Sequence, residues 1–145
     1  MPLRKTSMKI MIDLNVLLDV VQKRPSHYQA SAQTLDFALR NQCGCLSSHV
    51  LTTCYYLVAK YADQETAEEL IVWLMQNFTI IPANKETFLL ARCLNFTDFE
   101  DAVVSACAEE QHCDYIITRN SKDFKRSHVQ ALSPAEFLAR INPIV

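Results

Sequence analysis

Acidic and amide side chains occur in this sequence where a fold could bring them together. Asp13 directly follows a short apolar run, and Asn120 follows another after one intervening residue. Asp98 and Asp101 are three residues apart at the start of a helical pattern, so both project from one helical face. In an open parallel sheet, ligands bind outside the carboxyl ends of the strands. We therefore predict that Asp13, Asp101 and Asn120 converge on one edge of a sheet.

Carboxylates gathered at one site repel each other unless a positive charge lies among them. Mg²⁺ or Mn²⁺ suits such a site, because these hard cations prefer oxygen ligands. A bound ion of this kind holds a phosphate oxygen, lowers the pKa of a bound water and neutralises charge on the leaving oxygen. We predict a metal site formed by Asp13, Asp98 and Asp101, and phosphodiester cleavage that depends strictly on the metal.

Helix capping is the competing interpretation of the second acidic group. The stretch Thr97–Glu100 fits a capping box, with Thr97 as the N-cap and Glu100 reaching back. Acids in a first helical turn gain about 0.3–1 kcal/mol each from the helix dipole. Asp13 alone would also suit a solvated turn after a strand. Capping explains Asp101 least well, because apolar residues follow it directly and an acid beside a buried stripe needs a partner.

Composition favours one globular domain and excludes some function classes. The chain has 145 residues, half of them apolar and 21% charged, which is enough to bury one core. The single glycine, Gly44, excludes glycine-rich phosphate loops. The net charge of −2 means that RNA binding would need a local basic patch. Arg119 and Lys122, with Lys125 and Arg126, form one such cluster and are candidate RNA contacts, although a solubilising surface is the plainer alternative.

Cysteine usage and the opening residues indicate a reducing compartment. The six cysteines are not preceded by the apolar segment of a signal peptide, and no apolar run is long enough to span a bilayer. We therefore expect a cytoplasmic protein with free cysteines and no membrane association. Cys43 and Cys45 with His49 could suggest zinc, but no second cysteine pair follows, and an alternating strand is the preferred interpretation.

Strand and helix patterns alternate along the chain. The predicted strands are Lys9–Ile12, Cys43–Ser47, Thr79–Ile81, Tyr115–Thr118 and Val129–Leu132. The predicted helices are Tyr28–Leu39, Val50–Tyr61, Thr66–Phe78, Lys85–Leu94, Asp98–Glu110 and a short one that opens at Ser133. This order predicts parallel crossovers and a three-layer α/β/α fold with a central, mostly parallel sheet of four to five strands. We expect a flexible tail at 1–7, one domain at 8–145, and Trp73 packed against another helix or a second subunit.

Three segments in the expected order resemble the PIN-domain family. Ile10–Asp19 resembles the family's opening strand with its first catalytic acid, carried here by Asp13. Thr97–Val103 resembles the segment with a later acidic ligand, carried by Asp101, and Asp114–Phe124 is similar to the closing strand and its polar turn. The terminal Ser133–Leu138 looks like the usual last helix. The resemblance implies a metal-dependent endoribonuclease, best known from VapC-like toxins, which commonly dimerise and are held inactive by a small antitoxin.

The sequence departs from the family pattern at three positions. The family usually has a glutamate in the helix after the second strand, and Thr53 stands at the matching position. Leu14 replaces a common hydroxyl residue after the first acid. Asn120 stands where many members have aspartate, although an amide carbonyl can still bind a metal or orient a water. Asn15, Thr118 and Asp123 lie in the resembling segments and are further candidates for the site.

Two functions from different classes follow from this pattern. The first is a Mg²⁺- or Mn²⁺-dependent endoribonuclease, with Asp13, Asp101 and Asn120 as catalytic residues and with RNA, an antitoxin and a second copy as partners. The alternative is a PIN-like module that has lost efficient catalysis and binds RNA or protein. Two other classes of protein are disfavoured because residues that they require are lacking. A response-regulator receiver would need an acidic pair before the helix, and a haloacid-dehalogenase-type phosphatase would need an acid at the position of Asn15.

Overall fold

A computed structural model describes residues 8–142 as a five-stranded sheet with helices on both faces. The predicted tail at 1–7 and the last three residues of the predicted domain lie outside this range. The strands are β1 (Ile10–Ile12), β2 (Gly44–Ser47), β3 (Thr79–Ile81), β4 (Tyr115–Ile117) and β5 (Ala131–Leu132). Their order is β3-β2-β1-β4-β5, and every neighbouring pair is parallel. The sequence-based prediction of a central parallel sheet is confirmed.

Seven helices and one 3₁₀ turn accompany the strands in residues 8–142, and the last helix follows β5. They are α1 (Leu14–Val21), α2 (Tyr28–Asn41), α3 (Ser48–Tyr61), α4 (Gln64–Asn77), α5 (Lys85–Cys93), α6 (Phe99–Glu110), α7 (Pro134–Ile141) and the turn Ser121–Phe124. The sequence analysis did not predict α1 or the 3₁₀ turn, because two turns of helix are too short to show a clear period. The first four helices accompany the steps from β1 to β3, and α5 and α6 accompany the return to β4. Right-handed crossovers place these two sets on opposite faces of the sheet.

The central strands lie at the centre of the core and determine where the site forms. All three residues of β1 are fully buried, as are Ile116 and Ile117 of β4. Strand order reverses on either side of β1, and this kind of switch point leaves a crevice at the carboxyl ends of the two central strands. None of the helices within residues 8–142 combines the length and the apolar character needed to cross a bilayer.

The outer face of α4 exposes large apolar side chains. Val72 is 48% exposed, Trp73 40% and Met75 51%. The Trp73 ring lies edge-on to the ring of Phe78, with ring centroids 6.1 Å apart. Phe78 is the C-cap residue of α4, so within residues 8–142 the aromatic contact of Trp73 is with its own helix and not with another one. Packing of this face against a second subunit stays a prediction.

Gly44 is required by close packing at the start of β2. A Cβ atom there would lie 2.6 Å from Cδ2 of Phe78 and 3.1 Å from Cβ of Ala38. We expect Gly44→Ala to lower the free energy of unfolding by about 1–3 kcal/mol, because overpacking forces the ring or the strand to move. Urea denaturation measures this change. The cost should shrink in a Phe78→Leu background, where the ring is absent, and an equal cost in both backgrounds would contradict the clash.

Candidate active site

Asp13 lies at the carboxyl end of β1, where its carboxylate caps α1. Its Oδ1 accepts a hydrogen bond from the backbone N–H of Leu14 at 2.8 Å, and its Oδ2 accepts one from the hydroxyl of Thr118 at 2.8 Å. Asp13 is only 7% exposed, so it is not the solvated turn residue of the alternative interpretation. Burial raises the pKa of Asp13, the two hydrogen bonds lower it, and the charges of Glu100 and Asp98 raise it further.

Thr118, directly after β4, joins the ends of the two central strands. Its Oγ1 accepts hydrogen bonds from Nδ2 of Asn15 at 3.3 Å and from the backbone N–H of Asn120 at 3.1 Å. The Oδ1 of Asn15 in turn accepts the backbone N–H of Arg119 at 3.2 Å. Thr118 is fully buried, so its hydroxyl group depends on these protein partners for hydrogen bonds. Asn15 and Thr118 therefore position Asp13 relative to the loop after β4.

The amino terminus of α6 brings further carboxylates to the same region. Asp98 is the N-cap, and its Oδ1 accepts hydrogen bonds from the backbone N–H groups of Glu100 at 2.8 Å and Asp101 at 3.2 Å. The competing interpretation was therefore right that an acid caps this helix, but wrong in assigning the cap to Thr97 with Glu100 reaching back. The short Asp98 side chain satisfies both N–H groups, and the Glu100 carboxylate bonds to another helix instead.

Asp101 lies half-buried among four other carboxylates. Burial and the charges of Asp13, Asp98, Asp123 and Glu100, in that order, raise its pKa to about 7. Asp101 also lines a cleft of about 290 Å³ in which acidic and basic side chains lie together. The other residues that line this cleft are Phe96, Thr97, Asp98, Lys122, Asp123, Lys125 and Arg126. The predicted site residues Asp98, Asp101, Lys122 and Asp123 therefore share one cleft.

Glu100 is the candidate that the sequence analysis missed. The hydroxyl of Thr53 on α3 donates a hydrogen bond to Oε2 of Glu100 at 3.1 Å, so a carboxylate from α6 lies against the position where an acid is lacking in α3. The sequence did contain a signal for the role of Glu100. No acid occurs from Gln42 to Ala62, whereas the first turn of α6 contains Glu100 in addition to Asp101. Beside it, both ring nitrogens of His49 are buried without a hydrogen-bond partner among the described residues, and burial lowers the pKa of His49.

Asn120 begins the 3₁₀ turn that carries Asp123. Its backbone carbonyl accepts the N–H of Asp123 at 2.9 Å, while its own N–H bonds to Thr118. The side-chain amide of Asn120 is exposed and forms no hydrogen bond within residues 8–142. The structure therefore places Asn120 next to the cluster through its backbone and leaves its amide free to meet a ligand.

Arg119 points away from the cleft that Lys122 lines. Its Nε lies 2.9 Å from Oδ2 of the fully buried Asp19, an ion pair in which the N–H is not aimed along the line of a hydrogen bond. Asp19 also accepts a hydrogen bond from the hydroxyl of Ser31 at 2.9 Å, and Nη1 of Arg24 lies 3.5 Å from its Oδ1. The guanidinium of Arg119 thus anchors the loop after β4 to α1.

The donor chemistry of the cluster fits a hard divalent cation. Within residues 8–142, no three acidic, histidine or cysteine side chains converge closely enough to hold an ion as they stand, and this includes Cys43, Cys45 and His49. The five acids of the cluster, three of which line the cleft, nevertheless offer oxygen donors, and their mutual repulsion is what a cation relieves. Because several of these acids are exposed, their side chains can rotate toward a common ion.

The raised pKa of Asp101 predicts a pH-dependent stability difference in metal-free protein. Between pH 3.8 and about 7 the unfolded chain has lost a proton that the folded chain retains, so stability falls as pH rises through this window. Asp101→Asn removes this cost and should stabilise the protein by about 2 kcal/mol above pH 7, a value reduced by solvent screening. Thermal unfolding with a chelator at pH 4 and pH 8 measures it.

The matched control is Asp36→Asn, which removes an acid from an exposed ion pair with Arg40 on α2. This exposed pair should contribute at most about 1 kcal/mol, and its loss should not stabilise the protein at pH 8. A gain from Asp101→Asn that is equal at pH 4 and pH 8 would contradict the ionisation argument.

Comparison with known proteins agrees with this architecture. The PIN domain family model matches residues 9–122. The chain is 30% identical over 144 residues to Ribonuclease VapC1 of Aquifex aeolicus (strain VF5), which covers 95% of this chain and 99% of that protein.

Solved structures with the same fold include a toxin–antitoxin complex. VapBC2 from Rickettsia felis, bound to a promoter DNA fragment, aligns with a TM-score of 0.70 at 19% identity over 87% of this chain and 98% of that one. A toxin–antitoxin complex from Klebsiella pneumoniae aligns with a TM-score of 0.68 at 20% identity over 87% and 98% of the two chains. With a family model matched across most of its length and a relative aligned along nearly the whole chain, this protein belongs to the PIN-domain family.

Proposed function

We propose that this protein is an endoribonuclease that cleaves single-stranded or structured RNA with Mg²⁺ or Mn²⁺, as the toxin of a toxin–antitoxin pair. The observation that carries the proposal is the group of carboxylates around Asp13 and Asp101 at the switch point of the sheet. Similarity along nearly the whole chain to a protein named as a ribonuclease supports the reaction class. The cations in the same cleft support a polyanionic substrate.

In this proposal the acids of the cluster hold the metal and the cations position the RNA. Asp13, Asp98 and Asp101 are the proposed ligands, together with Glu100 and Asp123, which complete the oxygen donor set. When bound, the ion neutralises charge on the phosphate and lowers the pKa of a water beside it. Thr118 and Asn15 orient Asp13 through the hydrogen bonds described above. Thr53 holds Glu100 through its hydroxyl group.

The residues after β4 have distinct proposed roles toward the substrate. The exposed amide of Asn120 can hydrogen-bond a phosphate oxygen or a water at the edge of the cluster. Lys122, with Lys125 and Arg126, lines the cleft and attracts the phosphates on either side of the cleaved bond. Arg119 acts through Asp19 as a positioning residue, because its guanidinium is engaged with a buried carboxylate. Of the two expected RNA contacts, we retain Lys122 for direct contact.

The alternative of a catalytically weakened binding module depends on the lack of an acid at Thr53. Glu100 weakens that argument, because its carboxylate hydrogen-bonds the Thr53 hydroxyl and its charge acts on both Asp13 and Asp101. In this proposal Glu100 supplies the acid that Thr53 lacks, from a different helix. We favour the enzyme for this reason. A substrate with unpaired bases is proposed because splayed nucleotides and their 2′-hydroxyls reach an open cleft more readily than a duplex does.

We expect purified protein to cut a single-stranded RNA when Mg²⁺ or Mn²⁺ is added and to leave it intact with a chelator. Asp101→Asn should lower the cleavage rate about a hundredfold or more, because the amide keeps the shape of the side chain and loses its charge. Gel analysis of a 5′-labelled oligonucleotide measures both effects. Asp36→Asn is the control for a surface acid and should cleave like wild type. Metal-independent cleavage, or full activity of Asp101→Asn, would contradict the proposed site.

A small antitoxin and a second copy of the chain are the proposed protein partners. The solved structure described as a toxin–antitoxin complex, from Klebsiella pneumoniae, supports the antitoxin. We assign the second copy to the outer face of α4, where Val72, Trp73 and Met75 are exposed together. Burial of such side chains between two copies is a common basis of homodimers.

The dimer assignment predicts concentration-dependent association that depends on Trp73. Sedimentation velocity should show a monomer–dimer equilibrium, and Trp73→Ala should weaken it about tenfold or more, because exposed aromatic side chains dominate interface energies. Tyr28→Ala, which removes an aromatic ring of equal 40% exposure from α2, should leave the equilibrium unchanged. A monomer at all concentrations would rule out the assigned contact.

A further inference from the structure

Two exposed phenylalanine rings are stacked beside the candidate active site. Phe88 on α5 and Phe99 in the first turn of α6 have centroids 6.1 Å apart and ring planes 22° apart. Phe88 is 41% exposed and Phe99 52%, so the pair is presented to solvent rather than buried in the core. Large aromatic side chains left exposed as a group mark binding surfaces more often than isolated ones do.

The position of Phe99 ties this ring pair to the acidic cluster. In the chain Phe99 stands between Asp98 and Glu100, two of the proposed metal ligands. Because residues adjacent in the chain have Cα atoms about 3.8 Å apart, the exposed ring of Phe99 leaves the backbone directly beside two of these acids.

Cations lie on both sides of the ring pair along α5. Lys85 precedes Phe88 by three residues and Arg92 follows it by four, and both side chains are exposed. Residues with these spacings share one face of a helix, so a positive charge lies one turn from Phe88 in each direction. Alternation of a stacking surface with cations matches the repeating base and phosphate of a single strand.

We infer that Phe88 and Phe99 form a stacking platform for one unpaired nucleobase of the RNA, with Lys85 and Arg92 contacting the phosphates that flank it. The inference rests on the proposed ribonuclease function and adds the place where a nucleotide next to the cleaved bond binds. It also gives a physical basis for preferring unpaired RNA, because a base paired in a duplex does not offer its face to a protein ring.

A nucleobase fits this platform better than a protein surface does. A partner that covered Phe99 broadly would also bury the carboxylates of Asp98 and Glu100, and burial of unpaired charges is costly. A base covers only the face of a ring and leaves those carboxylates open to water and to a cation. Two rings with the neighbouring Leu89 also fall far short of the roughly 800 Å² per partner that a stable protein interface requires.

Fluorescence of a 2-aminopurine base tests the platform, because stacking on an aromatic ring quenches this probe. Short single-stranded RNAs with 2-aminopurine at successive positions are titrated into the Asp101→Asn variant, which prevents cleavage during the measurement. We expect strong quenching at one position. Adding Phe99→Leu or Phe88→Leu should abolish that quenching and raise Kd about tenfold, since stacking of one base on an aromatic ring is worth this much or more.

Three controls separate stacking from general damage. Phe99→Trp should keep the quenching, because it keeps an aromatic face. Tyr61→Leu, which removes an exposed ring at the far end of α3, should leave Kd unchanged. Replacing the quenched nucleotide by an abasic one should weaken binding to the parent variant and not to the Phe99→Leu variant. In the cleaving protein, Phe99→Leu should raise KM more than it lowers kcat.

The outcomes distinguish failure of the platform from failure of the enzyme. Unchanged Kd and quenching in both leucine variants, with metal-dependent cleavage intact in wild type, would overturn the platform and leave the proposed function standing. A wild-type protein that neither binds nor cuts RNA would overturn both. If Phe99→Leu dissociates a dimer while the affinity for RNA stays the same, the ring pair belongs to a contact between copies and the inference is wrong.

Discussion

The main constraint on this structure is that five carboxylates lie close enough together to repel one another. Parallel strands direct the carboxyl ends of β1 and β4 to one edge, and the amino terminus of α6 meets the same edge. The fold thus concentrates negative charge at a half-buried position, where loss of hydration and then the neighbouring carboxylates raise the pKa of Asp101 to about 7. A scaffold that pushes like charges together is less stable than one that does not. Such a cost is typical of sites that gain stability from a bound cation.

The surrounding structure resists this repulsion through buried hydrogen bonds and ion pairs. Thr118 links the carboxylate of Asp13 to the loop after β4, and Asn15 holds the backbone of that loop. On the other side of the loop, Arg119 pairs with a carboxylate that is completely buried, that of Asp19. Separating such a pair is costly, because it would leave the buried carboxylate of Asp19 with less compensation of its charge. The loop is therefore fixed from both sides.

Local patterns in the sequence predicted the parts of the site that depend on neighbouring residues. Asp13 could be placed because a buried strand ends beside it, and Asp101 because capping did not explain an acid next to an apolar stripe. Glu100 could not be placed in the same way, because its partner Thr53 lies 47 residues away and only the packing of α3 near α6 joins them. The orientation of the Arg119 side chain could not be predicted either, because a cationic residue in a basic cluster gives no sign of a buried carboxylate partner in α1.

In the proposed site, Glu100 on α6 supplies the carboxylate that Thr53 on α3 lacks. A cation responds to the number and type of oxygen atoms around it and not to the helix that supplies them. Supplying the acid from α6 has a further consequence, because Asp98, Glu100 and Asp101 then all lie at the amino terminus of one helix. The positive end of the helix dipole partly offsets their repulsion while no cation is bound. An acid on α3 at the position of Thr53 would lie well inside the second turn of its helix, where this stabilisation is weaker.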